Sequence, residues 1–427
     1  MTTRVVMKYR KINSSVVRLG CAALALPGLM QTVSAGRVEE TYNADFQYGH
    51  YSEGKKRMEV DIFEGALAAP IGKNMTANVG ILRDMVSGAS PVYNRRVNGK
   101  IQQVLSGASP SSQCGESICE QRDQITGGAT YFFEDSSLNI GGGLSREHDY
   151  TSRFFNTAYS IDLNKKLTTL NFGASIAFDD IEPSPSGFNS HVNGFKRYKT
   201  GQNYLVGVSQ VVDKDTLFQS NMTFGYSNGY LTDPYKNVAT EGNPNFYVQE
   251  IRPGHKFTWA WLNQYVRHFG QLNDAALHVD YRYSLDDWGS HAHTFELAWH
   301  QPIADNWQII PRFRYYSQDR VDFYQPIFDD TLKFDFNAPG YKGNFNTTLE
   351  NHNVYSSDYR LAGFGALSGG IKLSKEITSI NGVNSLKFQT GFEYYRHEAG
   401  LQLGGNSQGS FADFNYYVVT ASFNLKF

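Results

Sequence analysis

Apolar and polar residues alternate along nearly the whole chain from about residue 41 to the C-terminus, the period-two pattern of strands with one wet and one apolar face. At the C-terminal end Tyr417, Val419, Ala421, Phe423, Leu425 and Phe427 share one face. Tyr416, Val418, Thr420, Ser422, Asn424 and Lys426 share the other. Leu170, Phe172, Ala174, Ile176 and Phe178 alternate with Thr169, Asn171, Gly173, Ser175 and Ala177. Leu277, Val279, Tyr281, Tyr283 and Leu285 alternate with His278, Asp280, Arg282, Ser284 and Asp286. Further runs cover roughly 41–52, 57–68, 75–86, 125–134, 137–147, 153–163, 201–212, 216–229, 255–268, 291–302, 307–318, 359–375 and 383–397, which makes sixteen strands in all.

The connections alternate in length. Short turns fall at Pro70–Asn74, Asp135–Ser136, Asn164–Lys166, Asp213–Asp215, Gly270–Asn273 and Ala304–Asn306, whereas long stretches fall at 87–124, 180–200, 230–254 and 319–358. Short turns on one side and long loops on the other are the habit of outer-membrane barrels, and an even strand number puts both termini in the periplasm. The expected fold class is all-β, a single antiparallel transmembrane β-barrel over 36–427. The terminal Phe427 resembles the signal that such barrels present to their assembly machinery. Outer-membrane lipid and that machinery are the implied partners.

Composition agrees. Among 427 residues are 40 Gly, 29 Phe, 27 Tyr and only 13 Pro, which suits many strands joined by tight turns. No window holds the roughly 18 apolar residues that a membrane-spanning helix needs. With 39 basic against 41 acidic residues and no polybasic run, nothing marks a nucleic-acid surface. Arg4, Lys8, Arg10, Lys11 and Arg18, then Leu19–Met30, then Val33-Ser34-Ala35, read as the basic, apolar and cleavage regions of a signal peptide over 1–35. Its removal takes away five basic and no acidic residues, leaving a mature net charge of about −7. Cys21 leaves with it; Arg18 stands where a lipobox needs an apolar residue. Cys114 and Cys119 remain, four residues apart in a polar loop, and in an oxidising compartment they read as a local disulfide rather than a redox or zinc pair.

Four strings together, Asp84-Met85-Val86-Ser87-Gly88-Ala89-Ser90-Pro91, Val208–Asp213, Gly229-Tyr230-Leu231-Thr232-Asp233-Pro234-Tyr235-Lys236 and Tyr281–Gly289, resemble an uncharacterised bacterial family of outer-membrane proteins, a domain-of-unknown-function family. The resemblance covers nearly all of the mature chain and brings no assigned catalytic residue. Through neighbouring genes for a small periplasmic lipoprotein, a flavin transferase and a thioredoxin-like protein, it implies a redox or metal context.

Inside a barrel the wet faces carry the chemistry. Asp280, Arg282 and Asp286 on one expected strand, Glu296 and His300 on the next, and Arg312, Arg314 and Gln318 on a third form adjacent rungs of opposite charge, joined by Lys387, Glu393 and His397 if the barrel closes. Such rungs act either as a constriction selecting small charged solutes or as a salt-bridged plug. His291 and His293 share the lipid-facing side of their strand, which favours an interfacial role over metal binding. Gly225-Tyr226-Ser227-Asn228-Gly229 matches a nucleophile elbow without the helix that motif needs, so lipid hydrolysis by Ser227 is a third-ranked reading. Stretch 319–358 holds Asp319, Asp322, Asp329, Asp330, Asp335, Glu350 and Asp358; an inward gate or cation site competes there with the plainer expectation of a solvated loop. Gly363-Phe364-Gly365 lacks the third glycine of a dinucleotide site, and no cofactor is implied. The leading expectation is passage or binding of a small solute. The alternative is a closed barrel whose 87–124 loop, with its Cys114–Cys119 bridge, holds a partner.

Overall fold

The computed structural model describes residues 41–54, 57–98, 100–106, 118–184, 194–241, 243–304, 306–329, 332–335, 346–349, 351–378, 382–405 and 413–427. The expected signal peptide and Cys114 lie outside them. In chain order the strands are β1 (Asn43–Glu53), β2 (Met58–Ile71), β3 (Met75–Gly88), β4 (Ser90–Val97), β5 (Lys100–Ser106), β6 (Ile118–Phe132), β7 (Ser136–Arg146), β8 (Tyr150–Leu163), β9 (Thr168–Ile181), β10 (Arg197–Asp213) and β11 (Thr216–Gly229). There follow β12 (Asn237–Thr240), β13 (Asn243–Gln249), β14 (His255–Phe269), β15 (Ala275–Asp286), β16 (His291–Ala304), β17 (Trp307–Gln318), β18 (Leu332–Asp335), β19 (Asn346–Leu349), β20 (Phe364–Ile377), β21 (Ser385–Glu398) and β22 (Phe414–Lys426).

Sixteen of these close into one antiparallel barrel in the order β1-β2-β3-β6-β7-β8-β9-β10-β11-β14-β15-β16-β17-β20-β21-β22. Closure runs through β1 and β22, with Phe46 opposite Phe423 and Asn43 opposite Lys426. A closed ladder satisfies every strand's backbone groups without an edge, the condition for strands to cross hydrocarbon. Each expected strand has its counterpart. The outward rows are apolar and uncovered by protein: Ile81 is 62% exposed, Leu67 57% and Phe155 51%. A continuous belt of this kind makes sense only against lipid. At the turn side, Tyr42 stacks on Phe427, Tyr131 meets Phe133 edge-on and Phe269 meets Trp299, forming an interfacial aromatic girdle.

Two boundaries differ from expectation. The stretch 118–124 is strand rather than loop, because β6 runs beyond the belt alongside β3 with Arg83 paired to Asp123 at 2.6 Å and Arg122 to Asp84. Residues Tyr359–Leu361 form a 3-10 turn instead of the start of a strand, since the Asp358 side chain accepts from the Arg360 amide. The six remaining strands form three hairpins, β4-β5, β12-β13 and β18-β19, all on the side of the long loops.

Candidate functional site

Pairing parity fixes what faces the lumen. His278, Asp280, Arg282 and Asp286 of β15, Glu296 and His300 of β16, Arg312, Arg314 and Gln318 of β17, Lys372 of β20, and Lys387, Glu393 and His397 of β21 all point inward. Arg312 reaches in both directions: its Nε and Nη2 donate to Glu296 at 2.8 and 2.7 Å, and its Nη1 donates to Glu393 at 3.1 Å. Lys256 of β14 pairs with Asp286 at 2.8 Å, and Asp280 accepts from Gln264 at 3.0 Å. Among the described residues, Arg282 and Arg314 have no carboxylate partner. Across the lumen Asn78, Thr126, Asn139, Asn156, Asn171, Ser175 and Asn203 face in from β3 and β6–β10 as a polar, uncharged band, with the pairs Arg122–Asp84 and Lys199–Asp179 above it towards the long loops and Asp162 below it towards the turns.

The outer mouth is covered. Val238 and Val248 of the β12-β13 hairpin pack with Phe328 and Tyr355 into a buried cluster, while Val321, Tyr324, Leu361 and Ala362 pack with Trp288 and Phe364. The described parts of stretch 319–358 are therefore no solvated loop: Val321, Tyr324, Phe328 and Tyr355 give them a core, shared with 230–254, whereas Asp330 and Glu350 lie outside the described residues. Anchors ring the rim. Tyr359 meets His397 and Phe414 edge-on, Arg57 donates to Gln103 at 3.2 Å, Tyr235 donates to Asp149, and Phe195 meets Tyr230. These ties join β1, β21 and β22 to the loops after β7 and β9, nearly half the circumference away, so the assembly lies across the mouth as a cap.

A buried charge network holds the cap's segments to one another. Arg252 contacts Glu250 at 2.6 Å as an ion pair and donates to Asp358 at 2.8 Å. Arg360 donates to both oxygens of Asp358 and, at 2.6 Å, to Asp233. Ser356 donates to Glu250, and Lys236 donates to Ser90 Oγ at 3.2 Å and to the Pro91 carbonyl, which ties in β4. Burial alone would raise all three carboxyls. Arg360, Lys236 and Arg252 overcome it at Asp233 and Asp358, holding both below the usual carboxylate range, whereas at Glu250 burial wins over Arg252 and the carboxyl is raised. Gln318 links cap to lumen: it accepts from the Tyr316 hydroxyl at 2.6 Å and donates to the carbonyls of Arg360 and Ala362 at 3.1 and 2.7 Å.

Residues 16–418 match the family described as protein of unknown function (DUF3570). The chain belongs to that family. No curated protein matches it. Among solved structures it is similar to a bacterial polysaccharide outer membrane secretin, with 8% identity, 91% of this chain and 99% of that one covered, and a TM-score of 0.45. It is similar also to the CymD monoaromatic hydrocarbon channel (9% identity, 91% and 89% covered, TM-score 0.39) and to OccK10 (OpdN) of Pseudomonas aeruginosa (10%, 91% and 99%, 0.39). At these scores the likeness is loose and says nothing of what this barrel passes or binds. Its own lipid belt, closed ladder and even strand number are those of a bacterial outer-membrane barrel, and that is where this member of the family resides.

The remaining sequence candidates fall into place around this geometry. His291 and His293 face outward, with Tyr283 and Tyr281 hydroxyls at 2.7 and 2.9 Å from their Nδ1 atoms. His278 and His300 stack inside the lumen at 4.3 Å between ring centroids. His397 is 1% exposed and belongs to the aromatic seat of the cap rather than to the charged rungs. Ser227 lies in the ladder opposite Gly201 and Lys256, two residues before β11 ends at Gly229, with no strand-to-helix turn. The cap network was missed, although the GYLTDPYK string holds two of its members, Asp233 and Lys236.

Proposed function

We propose that the barrel passes or binds a small anionic solute, with the cap as its outer closure. One observation carries this: Arg282 and Arg314 project into the lumen without carboxylate partners, while Lys256 is paired with Asp286 and Arg312 is shared by Glu296 and Glu393. A cation left uncompensated in a low-dielectric wall concentrates anions at its level. Asp280 and Glu296 on neighbouring rungs set the orientation of the solute's charge, and His300 lies below them. Passage requires the cap to swing clear of Tyr359's seat against His397 and Phe414.

The test is reversal potential in planar bilayers under a potassium chloride gradient, for the intact chain and an Arg282→Ala/Arg314→Ala variant. The expected result is a preference for chloride that the double variant loses. Unchanged selectivity in that variant sinks the reading. The cap itself favours a second reading, a closed platform presenting its external surface to a partner. Persistent silence from folded protein, even after the cap network is broken, supports that alternative.

A further inference from the structure

We propose that the outward face of β3, β6, β7 and β8, at the outer edge of the apolar belt, seats one outer-leaflet lipid whose headgroup carries phosphate. Register brings the residues together. One row across β3, β6, β7, β8 and β9 reads Arg83, Asp123, Arg146, Thr151 and Asp180, and the outward row next to it on the turn side reads Ile81, Ile125, Leu144, Arg153 and Phe178. Between the two lies the lumen-facing row of Gln124, Ser145 and Ser152. Arg83, Arg146 and Arg153 stand eight, ten and ten positions from the turn-side ends of their strands. About 9–11 residues of a tilted strand cross the hydrocarbon, so the three guanidiniums lie where acyl chains give way to headgroups.

The neighbouring carboxylates do not exhaust these arginines. Asp123 accepts from Arg83 Nε at 2.6 Å on one oxygen and from Gln121 at 2.8 Å on the other. Arg146, directly opposite Asp123, is left exposed with no hydrogen-bond or ion-pair partner among the described residues. Asp180 takes only Nη1 of Arg153, at 2.6 Å. Arg83 and Arg153 are each more than half exposed, so the remaining N–H groups of both forks are open to a further acceptor. Strand spacing sets Arg83 and Arg146, two strands apart on one row, about 10 Å from each other at the backbone. Arg146 and Arg153 are diagonal neighbours at about 7–8 Å, within reach of long side chains. Three guanidiniums so placed converge on one or two phosphates, whose oxygens match the guanidinium fork.

Turnward of the charges the same face has a shallow trough. The next outward row reads Val79, Gly127, Gly142, Phe155 and Ile176, so that two glycines side by side leave a gap between Val79 and Phe155. A Cβ on Gly127 would meet nothing closer than the Asn78 carbonyl at 3.9 Å, which makes the gap open space on the lipid side. An acyl chain fits there beneath a headgroup held by the arginines. A free ion would gain nothing from the trough, and basic clusters at a membrane surface select anionic headgroups. The outer edge is not basic all round: near this height on β15, β16 and β17 the outward residues are Tyr283, His293 and Tyr315.

The test follows binding of diphosphoryl lipid A and of zwitterionic phosphatidylethanolamine to the purified full chain in neutral detergent micelles by native mass spectrometry. Expected is one tightly held lipid A per barrel, bound about a hundredfold tighter than phosphatidylethanolamine, with each arginine contributing about fivefold. Arg146→Gln should therefore weaken lipid A about fivefold, and Arg83→Gln/Arg146→Gln/Arg153→Gln should abolish its advantage. Arg396→Gln, at an outward site on β21 that is 61% exposed, should leave binding unchanged. Gly127→Leu, which fills the trough, should weaken lipid A about threefold or more. Heat-modifiable migration on gels confirms that each variant keeps its barrel. Equal binding of the two lipids overturns the site, and so do equal losses in Arg146→Gln and Arg396→Gln, which would mark diffuse charge. Displacement of lipid A by millimolar inorganic phosphate, with Gly127→Leu without effect, would mark a free-ion site and overturn the lipid as occupant.

Discussion

Replacing Asp358 by alanine is the most direct test of what seats the cap. Its carboxylate is fully buried and takes the Arg360 Nε at 3.0 and 2.8 Å, the Arg252 Nη2 at 2.8 Å and the Arg360 amide at 3.1 Å. Removing it leaves the buried Arg252 with Glu250 alone and the half-exposed Arg360 with Asp233 alone. Breaking a buried ion network from one side costs about 3–5 kcal/mol, which corresponds to roughly two to nearly four decades in the closed-to-open equilibrium of the cap. Native-state hydrogen exchange reads this directly, because the amides of Ile251 and Tyr355 bond reciprocally across the cap at 3.0 and 2.8 Å and the Glu241 amide bonds Phe328 at 2.9 Å. These three should exchange at least a hundredfold faster, while amides within the β7-β8 ladder keep their protection. Acceleration of the cap amides by less than about threefold in a folded barrel refutes the network as the lock. Equal acceleration of cap and ladder refutes the independence of cap from barrel.

Arg312→Ala strands Glu296 and Glu393 in the wall and should lower barrel stability by about 3 kcal/mol or more in a urea titration, whereas Arg314→Ala, which breaks no ion pair, should cost less than about 1 kcal/mol. Ile81→Arg places a cation on the lipid face at a site 62% exposed and should destabilise the barrel in lipid vesicles by about 2–4 kcal/mol, with no comparable loss for a polar change at inward Asn156. At the outer rim, burial raises the Glu147 carboxyl to about 7. Its folded value exceeds its unfolded one, so the fold binds the extra proton between the two: local stability is full at low pH and is lost as pH rises towards 7. Protection factors around 147–150, which remove the intrinsic pH dependence of amide exchange, should therefore fall roughly tenfold or more between pH 5 and 7.5, and in Glu147→Gln they should stay level.

The sixteen strands were legible because lipid and lumen impose opposite demands on successive side chains, a constraint that survives along each strand whatever its partner. Loop lengths then set orientation. The cap was illegible for the converse reason. Val238, Val248, Phe328 and Tyr355 form one cluster from positions spread over more than a hundred residues, two on strands too short for periodicity to register and two on isolated bridges outside any strand. Asp358 reads in sequence as one acidic residue among seven in a loop, and only its burial between Arg252 and Arg360 distinguishes it. Charged rungs were visible by parity alone, yet which charges are spent requires reach across strands. Arg314 sits directly opposite Glu296, but it is Arg312, diagonally displaced, that takes that carboxylate.

Pore and plug, equal alternatives on sequence, make opposite demands on the lumen. A plug gains from neutralising every charge against its neighbours, because a cation left in a dry interior costs several kcal/mol. Arg282, exposed and without a carboxylate partner, is affordable only where water reaches it. The well-packed assembly lies instead at the outer mouth, where Val238 and Tyr355 are wholly buried and the acids Asp233, Glu250 and Asp358 are matched by Lys236, Arg252 and Arg360. Closure and selectivity thus rest on different residues, one set in the cap and one in the wall. On the proposed function, Asp358→Ala should change how often the barrel conducts without changing what it prefers, and Arg282→Ala/Arg314→Ala should do the reverse. A single variant that alters both together would show that cap and wall are one device.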